Sequence, residues 1–248
     1  MGRNVKANII AFILITIVVA VLSRHIMVLL HEWTHGATAT AFGFKDSPFD
    51  IHYGGWALLT VDENVNYNHL FSTGHNIAAS IISMSALITN ALLFLLSIFL
   101  LSTKKIQKKR LVYLCIYWFA VMNIGELYSY IPLRTLAVNR GDVGHFTYGL
   151  SLSPWFVFIP GSLLVGWGLW HIFKKETPRL FQIMSLDNKV ITYIQFALLV
   201  FVIFFWFGSS AFYDYGYNCI WSIWSMISIV IGFLIFFISI PLKKDKID

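Results

Sequence analysis

The feature that most constrains this chain is the length of its apolar runs. Stretches of about 20 residues with hardly a charge recur along its whole length, and a helix of that length crosses the ~30 Å hydrocarbon core of a bilayer. About six can be read: Ala7–Phe42, Ile77–Leu101, Leu111–Ile131, Leu152–Phe173, Ile191–Tyr213 and Cys219–Leu242. Only 12% of the residues are charged, about half the roughly 25% of a soluble domain. Lipid offers no hydrogen-bond partners, so each segment must satisfy its own backbone, which a helix does. The expected fold is therefore an all-α membrane protein, a bundle of about six transmembrane helices.

The first segment is too long for one perpendicular span, at roughly 50 Å of helix for a rise of about 1.5 Å per residue. No Gly or Pro interrupts it between Ala7 and His35, so a hairpin there has no turn chemistry. One long helix, tilted or bent, is expected. Its basic start resembles a signal peptide, but no small-x-small cleavage site follows, and a retained helix is expected.

The net charge is +6, and the basic residues sit in short runs between apolar segments. Lys104, Lys105, Lys108, Lys109 and Arg110 follow the second segment. Lys174, Lys175, Arg179 and Lys189 follow the fourth, and Lys243, Lys244 and Lys246 the sixth. The loop after the first segment carries Asp46, Asp50, Asp62 and Glu63 instead. The positive-inside rule puts the basic loops and both termini in the cytoplasm. The chain is thus expected to be a multi-pass integral protein of a prokaryotic cytoplasmic membrane. An anionic lipid surface accounts for the basic excess, and no nucleic-acid partner is expected. Cys115 and Cys219 lie in apolar stretches without Cys-x-x-Cys spacing, which argues against a disulfide framework or a cysteine-bound metal.

Between the first two segments, Asp50–Tyr53 and Trp56–Val61 are strand-like, with Gly54-Gly55 between them. A short β-hairpin is expected there.

Chemistry is concentrated in His31-Glu32-Trp33-Thr34-His35. Residues four apart share a helix face, so both imidazoles can reach one Zn²⁺. Glu32 stands beside them, where it can take a proton from a water made acidic by the metal. His and Glu are costly in an apolar span and are by default functional there. The plainer alternative is a polar helix interface at the membrane edge. A catalytic zinc has three protein ligands. The third can come from Asp142, Glu126 or one of His52, His69, His75 and His145. Asp142 follows the Pro132 break and falls on the same expected side as the His pair, which favours it; Glu126 is the alternative. Arg24, on the face of His31 and His35, is expected either to pair with Glu126 or to snorkel to an interface.

At this point the chain resembles the site-2 proteases, intramembrane zinc metalloproteases, over roughly Val28 to Gly144. His31 to Ala37 is followed by Ala41-Phe42-Gly43-Phe44, then by Phe49-Asp50-Ile51-His52-Tyr53-Gly54-Gly55. This is similar to the family's run from zinc helix through a Gly into a short β-element. Asn90 matches the family's Asn in the next span, without the usual Gly-Pro before it. Asn123, Pro132 and Asp142 keep the order of the family's last motif, at longer spacing and with Val143 in place of Gly. The resemblance implies that His31, His35 and Asp142 hold Zn²⁺ and that Glu32 is the catalytic base. It also implies that Tyr53, Gly54, Gly55 and Asn90 touch substrate.

The expected activity is hydrolysis of a peptide bond in or near the transmembrane segment of a membrane-protein substrate. Residues 1–150 would form the metalloprotease core, and residues 151–248 three additional helices. A membrane metal transporter or sensor would use the same His pair without needing Glu32, and a non-catalytic scaffold would need neither. The near absence of acidic and His residues from the fourth to sixth segments argues against transport.

Overall fold

The computed structural model describes residues 2–55, 57, 58, 60–136, 141–184, 189–215 and 222–239. Among these the chain is helical and has no strand. The first element, α1 (Gly2–Ala41), is one uninterrupted helix of 40 residues. The absence of Gly and Pro up to His35 explains its continuity. It stops in a Schellman cap: Gly43 takes φ 77°, the Phe44 N–H donates to Ala39 O (2.9 Å), and the Gly43 N–H donates to Thr40 O (3.0 Å).

After a loop come α2 (Tyr67–Ser72), α3 (Asn76–Ser102), α4 (Lys104–Gln107) and α5 (Arg110–Tyr130). Next are α6 (Gly141–Gly149), α7 (Trp155–His171) and α8 (Thr177–Ile183), the last two joined without a break by a π-helical turn, Ile172–Glu176. Then α9 (Lys189–Val200) runs through a second π turn, Phe201–Trp206, towards α10 (Ser210–Tyr215), and α11 (Ile223–Ser239) follows.

Five helices among the described residues are long and apolar enough to cross a membrane: Ile10–Ala41, Asn76–Ser102, Arg110–Tyr130, Trp155–Ile183 and Lys189–Phe212. Of the expected sixth, Cys219–Leu242, the described residues hold the shorter apolar helix Ile223–Ile238, and both ends of that segment lie outside the described residues.

The Arg110–Tyr130 helix is the centre of the bundle. Its apolar window is 67% buried, against 22% for Trp155–Ile183. It is also the least hydrophobic of the five, because a helix surrounded by protein can carry polar residues that a lipid-facing helix cannot. Tyr117, Trp118, Ile124 and Leu127 pack into one core with Met27 of α1 and Phe94 of α3. The outward faces stay apolar, as at Leu14, Val18 and Leu22 of α1 and Leu92, Leu96 and Phe99 of α3.

Among the described residues the expected β-hairpin shows no strand. The loop holds a single antiparallel bridge, between His52 and Asp62, with N···O distances of 2.9 and 3.0 Å. Gly54 and Gly55 do turn the chain, at φ 62° and 82°, but a second turn closes at once from the Leu58 N–H to Gly55 O. The carbonyls of Ala57 and Leu58 are taken by Arg24, at 3.1 and 2.8 Å, so they cannot join a ladder. Trp56 and Leu59 lie outside the described residues. Lys45 ties the loop base together by donating to the backbone carbonyls of Asp50 and Glu63.

Candidate metal centre

His31 and His35 lie in the last three turns of α1, one turn apart, and both are buried. Asp142 comes from the first turn of α6, a short helix after the Pro132 break, and it too is buried. The α6 helix is seated on the first half of α3. Ser80 Oγ donates to Phe146 O (3.1 Å), and Gly149 approaches Asn76 and Ser80 so closely that a Cβ there would collide with both. Small residues of this kind let helices in a membrane pack backbone to backbone. The result is that Asp142, 111 positions away in sequence, reaches the His pair.

Three atoms converge: His31 Nε2, His35 Nε2 and Asp142 Oδ2. Their separations are 3.2 Å between the imidazoles, 3.1 Å from His31 to Asp142 and 3.4 Å from His35 to Asp142. A tetrahedral zinc with ligands at about 2.0–2.1 Å has ligand–ligand edges of about 3.3–3.4 Å. The triangle is thus the size such an ion requires.

The proton count points the same way. His35 Nδ1 lies 2.7 Å from Ile82 O, an acceptor, so Nδ1 carries the hydrogen and Nε2 of the neutral ring presents a lone pair. The Asn90 amide lies 3.2 Å from His31 Nδ1. The atom placed there is Nδ2, which donates to Nδ1; with the amide turned over, its oxygen accepts from Nδ1–H and leaves Nε2 bare. Lone pairs of three groups then face one another, an arrangement a cation relieves.

Glu32 is also buried, and its Oε2 has no hydrogen-bond partner. It and His31 open onto a cavity of about 780 Å³. On one side are Arg24 and Val28, on another Glu126, Ser129 and Tyr130 of α5. Leu58, Thr60 and Val61 of the loop cover part of it, and Phe201, Phe205, Trp206 and Phe207 form an aromatic wall. Tyr130 lies against the metal-ligand side, its ring centroid 5.6 Å from that of His31. Sequence reading did not find Tyr130; the available signal was its position one turn after Glu126.

Glu126 does not join the His31, His35, Asp142 group. Arg24 does not pair with it or snorkel; its guanidinium is spent on the Ala57 and Leu58 carbonyls. Tyr53 is exposed and its hydroxyl bonds to Phe49 O. Gly54 packs on Thr60, and neither glycine lines the cavity. Of the other histidines, His52 and His69 are exposed, His75 packs on Phe44, and His145 stacks on Tyr67 at 4.1 Å. Burial lowers the pKa of His145, which keeps that stacked ring neutral.

A comparison of the chain with protein-family models, with characterised proteins and with solved structures finds no match.

Proposed function

We propose that the chain is a zinc-dependent intramembrane endopeptidase of the site-2 protease kind. The observation that carries this reading is the triangle of His31 Nε2, His35 Nε2 and Asp142 Oδ2, with the unpartnered Glu32 carboxylate beside it. The Glu32 position distinguishes an enzyme from a metal store, because storage needs ligands but no base.

A zinc ion held by the three ligands supplies Lewis acidity, polarising a carbonyl and acidifying water at neutral pH. Asn90 and Ile82 O keep the two imidazoles turned towards the ion. Glu32 takes the proton from the attacking water and hands it to the leaving nitrogen as the C–N bond breaks and the C–O bond forms. The substrate is the transmembrane segment of another protein, unwound locally, since a helix hides its carbonyls in hydrogen bonds. The aromatic wall receives its apolar side chains.

The test is Glu32→Gln in the purified full chain. Metal analysis is expected to show about one zinc per chain in both forms, with cleavage of a transmembrane peptide falling about 10²–10⁴-fold in the variant. A variant that cleaves normally, or a wild type that binds no zinc, rejects the proposal. Undiminished metal transport in the variant would identify a transporter instead.

A further inference from the structure

The cavity holds a second carboxylate that the hydrolysis does not use. Glu126 lies within the central helix, where an ionisable side chain is kept only for a purpose. It lines the cavity and, among the described residues, makes no hydrogen bond or ion pair. The natural candidate partner, Arg24, faces the same cavity but donates through Nη1 and Nη2 to the loop carbonyls.

We infer that Glu126 is a specificity residue: it pairs with a basic side chain, Lys or Arg, that the substrate carries about two residues from the scissile bond. This rests on the protease reading above. The spacing follows from the helix. Glu126 is four residues before Tyr130, hence about 6 Å away along the α5 axis, and Tyr130 stands against His31 at the metal end of the cavity. An extended substrate advances about 3.3 Å per residue, so 6 Å is about two residues. A lysine or arginine reaching there lays its methylene stem along Phe201 and Phe205, while its charged end meets the carboxylate. Such a residue is poorly tolerated in lipid and gains in the cavity the partner that lipid withholds.

The experiment uses the zinc-loaded full chain in detergent and a set of fluorescent Leu/Ala-rich peptides. These are identical except for Lys, norleucine, Gln or Glu placed in turn at each position around the cleaved bond. Binding is read by anisotropy in a Glu32→Gln background and cleavage as kcat/KM in the wild type. The Lys peptide is expected to lead the norleucine peptide by about tenfold in both, best at about two residues from the cut. Glu126→Gln is expected to bring that ratio close to one with zinc content intact, Glu126→Asp to retain much of it, and Glu126→Lys to favour the Glu peptide. Equal or absent binding of the Lys and norleucine peptides overturns the inference. So does a ratio that survives Glu126→Gln, or an equal loss on every peptide, which would mark a general positioning role. Peptides bound with the lysine preference but never cut by the wild type would overturn the protease reading, and with it the spacing from a scissile bond, while the pairing of Glu126 with a basic side chain would stand.

Discussion

The imidazole of His35 has little freedom: Ile82 O holds one nitrogen, and the other faces His31 and Asp142 within 3.4 Å. His31 is held in the same manner by Asn90. Metal affinity should follow from this at the level of single atoms. His31→Ala and His35→Ala are expected to abolish bound zinc, because two protein ligands hold it poorly. Asp142→Asn should lower zinc occupancy and activity together, whereas Glu126→Gln should retain the metal, both read by elemental analysis of purified protein. If Glu126→Gln strips the metal and Asp142→Asn leaves it, the third ligand has been assigned to the wrong carboxylate. Asn90→Ala should weaken zinc binding about 10–100-fold, the usual cost of losing an orienting partner, as measured by competition with a chelator. An unchanged affinity would show that the amide does not orient His31.

At the scale of elements, the loop between α1 and α2 is docked on the motif helix by contacts of three kinds. Pro48 backbone lies against Gly36, where an added Cβ would collide with its carbonyl; Phe49 meets Trp33 edge to face at 5.4 Å; and Arg24 holds Ala57 and Leu58. Gly36 is thus required for space rather than for its backbone angle. Gly36→Ala should displace the loop, cost about 1–3 kcal/mol of stability and open residues 43–66 to limited proteolysis. Gly166, with nothing within 4 Å of a Cβ, is the control. Equal thermal stability and loop protection for both variants would contradict the packing described. At the far end of α5, Tyr113 donates to Glu176 Oε2 (2.7 Å), and His171 and Arg179 close around the same buried carboxylate. This network ties the π turn to the central helix, and the sequence signal for it was a glutamate at the edge of an apolar run.

On the scale of the whole molecule, the candidate metal centre and the basic residues of the 104–110 and 174–179 stretches occupy opposite ends of the bundle. Tyr130, at the end of α5, meets His31, while Tyr113, near its start, meets the Lys174–Arg179 region. The positive-inside rule then predicts a cytoplasmic basic end. Reporters fused after Ser102 or Lys174 should read as cytoplasmic and one near Asp62 as external. The reverse at all three positions would invert the molecule and place the metal centre towards the cytoplasm.

The sequence by itself determined the helices, because apolar run length, missing glycines and His spacing are local properties and a membrane leaves the backbone few alternatives. It also determined the His31–Glu32–His35 face, since the 3.6-residue turn puts positions four apart together wherever the helix lies. Asp142 was legible as the favoured third member, with Glu126 as its alternative. Selecting it over Glu126 required α6 to be seated on α3 through Ser80 and Gly149. The single bridge His52–Asp62 among the described loop residues, the use of Arg24 as a loop clamp, Asn90 as the partner of His31 and Tyr130 beside it were likewise decided only by tertiary structure. Each depends on which distant backbone group or ring arrives next to a side chain, and no pattern within one segment encodes that arrival.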